Sequence, residues 1–300
     1  QNLYDFSEDA ALKKRMGMFL DLIWAEWAQD QLGAVRGGAK TRWHSHGYDS
    51  MWEAARFYLG GPGSAGGWYA QLVSDYEWPE IIWRMALDRE SKGEFAYASR
   101  KPGEEQPDLW PRPGGLERTM AIDIEARFLR YSWVTPDYIL GTQMDHPAAI
   151  HSHLSTAARW QGMSFASDFT TSVSPCGIIT NKETQWKREK HSYYRSVQHE
   201  NVLITQQNRR WFQQNPTWYP TYDIYERMVG VQFEGDFDQV DELDGWIFVR
   251  KGDAYLAVRP LMGEYQYDNE SWSRTGTDDL FSDIREDTYE WGPNRQFIRL

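Results

Sequence analysis

The chain has 300 residues with 32 Lys and Arg against 44 Asp and Glu, and its formal net charge of −12 leaves no basic excess for a nucleic-acid backbone. No run of about 18 apolar residues occurs, which excludes an apolar membrane-spanning helix, and a single cysteine, Cys176, excludes an internal disulfide. The length exceeds what one hydrophobic core usually organises, so two domains are expected, and 16 Trp, 17 Tyr and 13 Phe supply flat apolar faces suited to a β core or to sugar rings.

From Ser7 to Leu32 the apolar residues Leu12, Met16, Phe19, Ile23 and Trp27 recur at spacings of three and four, which predicts a helix stopped by Gly33. A glycine-rich turn, Arg36-Gly37-Gly38, separates it from a second helical pattern, Met51, Ala55, Tyr58 and Leu59. Ile81 to Leu87 reads as a third helix. Short helices with one apolar stripe each need a facing layer, so residues 1–100 are expected to be the end of a larger helical array. Gln1 in place of Met, with no cleavable apolar segment, points to a processed piece of a longer precursor.

Between Lys101 and Gly115 the prolines and glycines tolerate neither helix nor central strand, so residues 101–115 are expected to be a linker. Residues 116–300 follow with period-two patterns at Phe128 to Val134, Tyr138 to Thr142, Asn201 to Thr205 and Val229 to Glu234. The clearest hairpin runs from Gly245 to Arg259 around Lys251-Gly252-Asp253. Many short strands without intervening helices predict an antiparallel sandwich. The fold class is therefore α+β and multidomain, a helical part followed by a mostly antiparallel β-sandwich.

The segment Ser192-Tyr-Tyr-Arg-Ser-Val-Gln-His-Glu-Asn-Val-Leu-Ile204, together with His151-Ser152-His153, resembles motifs of the heparinase II/III-like polysaccharide lyases. The resemblance implies the end of an (α/α) helical toroid joined to the sandwich, with a substrate groove between them. It implies cleavage of a uronate-containing polysaccharide or oligosaccharide by β-elimination, with Tyr and His as proton carriers, in a secreted or periplasmic carbohydrate-active enzyme. It also implies that further catalytic residues lie in an N-terminal remainder of the same protein. Carried over, His151 is a catalytic candidate, and His153, Asp168 and His199 are the candidate ligands of a structural zinc. A second alignment through Ser164-Phe165 puts Arg159 and Gln161 at the two histidine positions and leaves the metal without its Asp.

Elimination beside a carboxylate needs a cation to neutralise the carboxylate, a base for the neighbouring proton and an acid for the leaving oxygen. Arg36, Lys40, Arg42, His44, His46 and Tyr48 fall within thirteen residues of one another beside a Gly-Gly turn. Arg42, His44, His46 and Tyr48 are the catalytic candidates of that loop, with Tyr48 as base in a cationic surrounding, and Arg36 and Trp43 are candidate substrate contacts. A solvated loop with Tyr48 packed as the first apolar residue of a helix is the plainer reading. Arg159, Trp160 and Gln161 unite a guanidinium, an indole and an amide ahead of Gly162, a combination suited to a sugar ring, and equally an Arg stacked on a Trp at a sheet edge. Asp123, Glu125, Asp137 and Asp145 would instead serve a glycoside hydrolase on the same scaffold. A non-catalytic glycan-binding fragment is the third reading.

Overall fold

The computed structural model describes residues 1–32, 35–37, 40–41, 74–99, 128–145, 159–166, 171–180, 186–188, 194–207, 226–259, 266–268 and 295–299. The expected linker 101–115 and the helical pattern at Met51 to Leu59 lie outside them.

A short helix, α1 (Asn2–Phe6), precedes the expected helical run, which forms α2 (Ala10–Gln29). Asp9 supplies the break: its side chain accepts from the backbone N–H groups of Ala11 and Leu12, capping α2 at its first turn. Helix α2 ends ahead of Gly33 because Gln31 and Leu32 leave it to form β1 (Gln31–Leu32) against β2 (Val35–Arg36). The expectation of helix through Leu32 is corrected by these pairings. Two more helices follow, α3 (Glu80–Leu87) and α4 (Arg89–Lys92).

These helices share a core of Leu20, Trp24, Trp27, Tyr76, Trp78 and Ile82. Its indoles meet in tilted and edge-on pairs, with Trp24 and Trp78 centroids 4.8 Å apart and Trp78 and Trp83 4.9 Å apart. Much of the aromatic excess of the N-terminal part is thereby spent on packing. Each buried aromatic of this kind contributes on the order of 2–3 kcal/mol.

The β part is built from antiparallel pairs throughout the described residues. After the short β3 (Lys40–Thr41) come β4 (Phe95–Ala98), β5 (Phe128–Val134), β6 (Tyr138–Asp145), β7 (Arg159–Trp160), β8 (Gly162–Phe165) and β9 (Ser172–Thr180). They continue through β10 (Trp186–Arg188), β11 (Tyr194–His199), β12 (Val202–Gln207), β13 (Glu226–Glu234) and β14 (Gln239–Leu243). The last are β15 (Trp246–Lys251), β16 (Ala254–Val258), β17 (Gln266–Asp268) and β18 (Arg295–Arg299). Nine of them make one sheet in the order β17-β18-β13-β9-β8-β6-β5-β4, with β10 added on β9. Strand β4 precedes the Pro-rich stretch and pairs with β5 beyond it, so this sheet draws on both sides of that stretch.

Alternation along β6 divides the core. Leu140 joins Met163, Phe165, Val173 and Phe233 on one face, where Ile247, Val249 and Ala254 of β15 and β16 and Leu203 of β12 pack against them. Ile139 belongs to the other face, with Val134, Tyr97 and Leu32 of β1. The nine-stranded sheet thus has the sheet β14-β15-β16 and the hairpin β11-β12 against one side and the N-terminal segment against the other.

Candidate functional site

Where the N-terminal segment meets the sheet, charged side chains from several elements converge. Glu26 of α2 receives Arg36 of β2, Nη2 to Oε1 at 3.2 Å, and also Arg130 of β5. The Arg36 Nε lies 3.7 Å from Asp30, whose side chain is 2% exposed. Tyr97 of β4 stands beside them, and burial first, then the charge of Glu26 and a hydrogen bond to it, push its phenol far above the ordinary tyrosine range. A phenol so held stays protonated: it can donate a hydrogen bond but cannot serve as a base.

This arrangement fixes the place of one predicted contact. Arg36, expected to meet substrate, is half-buried and has its guanidinium directed to Glu26 and Asp30. It ties β2 to the C-terminal end of α2, while Arg130 ties α2 to β5. Gly37, directly after it, is buried against Ile139, where a Cβ would collide with that side chain. The backbone at Gly37 is therefore pressed onto the sheet.

Strand β3 pairs with β7 in the register Lys40 with Trp160 and Thr41 with Arg159. The entrance of the loop Arg42 to Tyr48 and the backbone of Arg159 and Trp160, far apart in sequence, are brought side by side. Arg42, Trp43, His44, His46, Tyr48, His151, His153 and Asp168 themselves lie outside the described residues, as do the side chains of Arg159 and Trp160.

Gln161, the third member of the Arg-Trp-Gln run, is 1% exposed. Its Oε1 accepts from Thr142 at 2.6 Å and from Ser196 at 2.9 Å, and Ser196 lies 3.1 Å from Thr205. It clamps β6 to the hairpin β11-β12 from beneath the surface, a task for an amide buried among hydroxyls. Gly162 follows with φ of 139°, and a Cβ there would run into the carbonyl oxygen of Val173. Glycine is required for β7 to turn into β8.

The Tyr194–His199 motif forms β11, closed onto β12 by the turn at Glu200-Asn201 with His199 opposite Val202. The hairpin turns Ser196, Gln198 and Thr205 inward. Gln198, 5% exposed, donates to the carbonyls of Leu140 and Glu200, both at 2.8 Å, and the Glu200 N–H donates to the Tyr131 hydroxyl at 3.2 Å. Glu200 sits at φ of 50°, a strained value for a side-chain-bearing residue, and these bonds hold it there. His199 faces outward and is exposed, on the same face as Val197 and Val202. Aliphatic neighbours offer no hydrogen bond to orient a ligating imidazole, and no group of three or more His, Cys, Asp or Glu able to hold a metal occurs among the described residues. Of the three expected zinc ligands only His199 lies among the described residues; His153 and Asp168 lie outside them.

The buried polar clamp is not visible in the sequence, where Gln161 is expected to meet substrate. The only signal available was the run of Ser, Thr and Gln at alternate positions of β11 and β12. No helix among the described residues is long and apolar enough to cross a membrane. No family model, curated protein or solved structure matches the chain.

Proposed function

We propose that the chain is the C-terminal part of a polysaccharide lyase that cleaves a uronate-containing glycan by β-elimination, with the helical segment as the end of a toroid and the strands as its β-sandwich. The observation that carries the reading is the β3-β7 pairing, which sets the entrance of the Arg42 to Tyr48 loop beside Arg159 and Trp160. That loop has the residue types the reaction needs, and Arg159 with Trp160 has those that hold a sugar ring.

In this proposal Arg42 lies against the substrate carboxylate and makes the proton on C5 more acidic. Tyr48, ionised by the cations around it, takes that proton. The C5–H electron pair becomes the C4=C5 double bond as the C4–O bond breaks, and His44, His46 or His151 returns a proton to the leaving oxygen. Atoms and charge balance without water or a redox partner. A secreted or periplasmic location and an N-terminal remainder of the same protein belong to the same proposal. Support for the remainder comes from α2: its far side exposes Met18 at 58%, Phe19 at 55% and Leu22 at 70%, and a helix apolar on both sides suits the interior of a helical array.

The experiment is product analysis of the full-length protein acting on a uronate polysaccharide. Elimination yields an unsaturated fragment one water lighter than the fragment hydrolysis yields. Mass spectra containing only the heavier fragment would assign the chain to the hydrolases.

A further inference from the structure

The sheet β14-β15-β16 ends on β16, and among the described residues β15 is the only strand that pairs with it. The hairpin β15-β16 closes at Lys251 and Ala254 around the two-residue turn Gly252-Asp253, where Gly252 takes the φ of 60° that such a turn needs. A two-residue turn makes its closing pair a hydrogen-bonded one, and such pairs alternate along an antiparallel ladder. Ala254, Leu256 and Val258 therefore turn their N–H and C=O groups to β15, and Tyr255 and Ala257 turn theirs to the open edge. Tyr255 is 67% exposed, and Ala257 is exposed too. A row of open backbone groups is a template for another extended chain, and sheets ordinarily guard such an edge with charge or proline. The opposite edge, β14, is guarded by Asp241 and Glu242, whereas Ala254-Tyr-Leu-Ala-Val258 has neither charge nor proline.

We infer that β16 is a docking edge for a second copy of this chain, which adds its own β16 antiparallel and joins the two three-stranded sheets into one. The backbone defines the class of occupant, an extended strand, and the side chains along the edge single out the copy. A two-fold axis at Leu256 sets Tyr255 against the partner's Ala257 and Ala257 against the partner's Tyr255, so every outward N–H meets an outward C=O. The same register is complementary on both faces of the sheet. On the outer face large Tyr255 meets a small alanine, and just beyond it the exposed Asp253 meets the partner's Arg259, once at each end of the pairing. On the inner face Leu256 meets the partner's Leu256, and small Ala254 meets the partner's Val258. Each copy has a net charge of −12, which opposes their approach elsewhere, and the paired Asp253 and Arg259 relieve that repulsion at this edge. The contact is confined to one short strand per copy, well below the size of a permanent interface, so the association is weak and reversible.

The test is sedimentation velocity of the full chain from low micromolar to several hundred micromolar concentration, where a monomer–dimer equilibrium is expected. Ala257→Pro removes an N–H that bonds nothing within the hairpin, so the melting temperature should hold. The dimer dissociation constant should rise roughly tenfold or more, because each copy loses a backbone hydrogen bond to its partner. The charge pair tests the register independently of the proline. Asp253→Arg should weaken the dimer, and adding Arg259→Asp to it should restore most of the affinity. A chain that stays monomeric across the range, a folded Ala257→Pro protein that dimerises as tightly as the wild type, or a double reversal no tighter than Asp253→Arg alone would each overturn the proposal. The readout needs no substrate, so it succeeds or fails independently of the elimination chemistry.

Discussion

At the scale of single residues, the candidate site depends on positions that admit few substitutes. Gly162 is held at a φ that side-chain-bearing residues rarely adopt and lies against the Val173 carbonyl. Gly162→Ala should destabilise the protein by on the order of 3 kcal/mol, since strain and a backbone collision act together; an unfolding midpoint within experimental error of wild type would remove the requirement. Tyr97 has its phenol raised above the ordinary value of 10.0 by burial and by Glu26. The folded state therefore holds this proton more tightly than the unfolded chain. Its stabilising contribution is complete below pH 10 and declines as pH rises above that value toward the folded pKa. Urea midpoints measured from pH 8 upward should fall more steeply above about pH 10 in the wild type than in Tyr97→Phe. Parallel curves would show that the phenol is not so constrained.

At the scale of elements, the hairpin β11-β12 reverses the usual alternation. Ser196, Gln198 and Thr205 turn toward β6, and Val197, Val202 and Ile204 remain 47–57% exposed. The polar interior is tolerable because Gln161 and Gln198 satisfy carbonyls and hydroxyls on both sides. Gln198→Ala strands the Leu140 and Glu200 carbonyls and releases the strained turn, for a cost of about 2 kcal/mol. Amide exchange should report it: faster exchange at Glu200 and along β12 is expected, and unaltered protection would contradict the clamp. The elements differ in how readable they were. Phe128 to Val134 was legible to the residue because its alternation is regular and Thr135-Pro136 closes it. Residues Ser7 to Leu32 were read as one helix because the apolar stripe continues across its end, and only pairing with Val35 and Arg36, a tertiary contact, draws Gln31 and Leu32 into a strand. The turn Asp244-Gly245 carries a readable signal, an Asp-Gly pair whose φ values of 51° and 77° are those a two-residue hairpin demands.

At the scale of the whole molecule, helices with their own aromatic core and an antiparallel β part were visible in the change of hydrophobic period from 3.6 to 2. The contribution of β4 to the large sheet was not, because a four-residue strand next to a helix has too few alternations to register. Residue types that could carry the proposed chemistry are legible in the sequence, and which of them the fold brings together is not. Arg159 and Trp160 were named as a group, yet nothing in the chain announces that they pair with Lys40 and Thr41. Arg36 and Gln161 were chosen for their residue types and turn out to brace the scaffold, since buried guanidinium and amide groups look the same in sequence as exposed ones.

The central claim, that the Arg42 to Tyr48 loop performs elimination beside Arg159 and Trp160, is tested most directly by the ultraviolet absorbance of the unsaturated product, followed in time for the full-length protein and its Tyr48→Phe variant. Loss of the phenolic oxygen leaves the ring to pack as before, so the melting temperature should hold while the rate of absorbance gain falls by roughly 100-fold or more, the contribution of a positioned proton carrier. A folded Tyr48→Phe protein that generates the chromophore at the wild-type rate, or a wild-type protein that generates none from a uronate polysaccharide it shortens, would contradict the account.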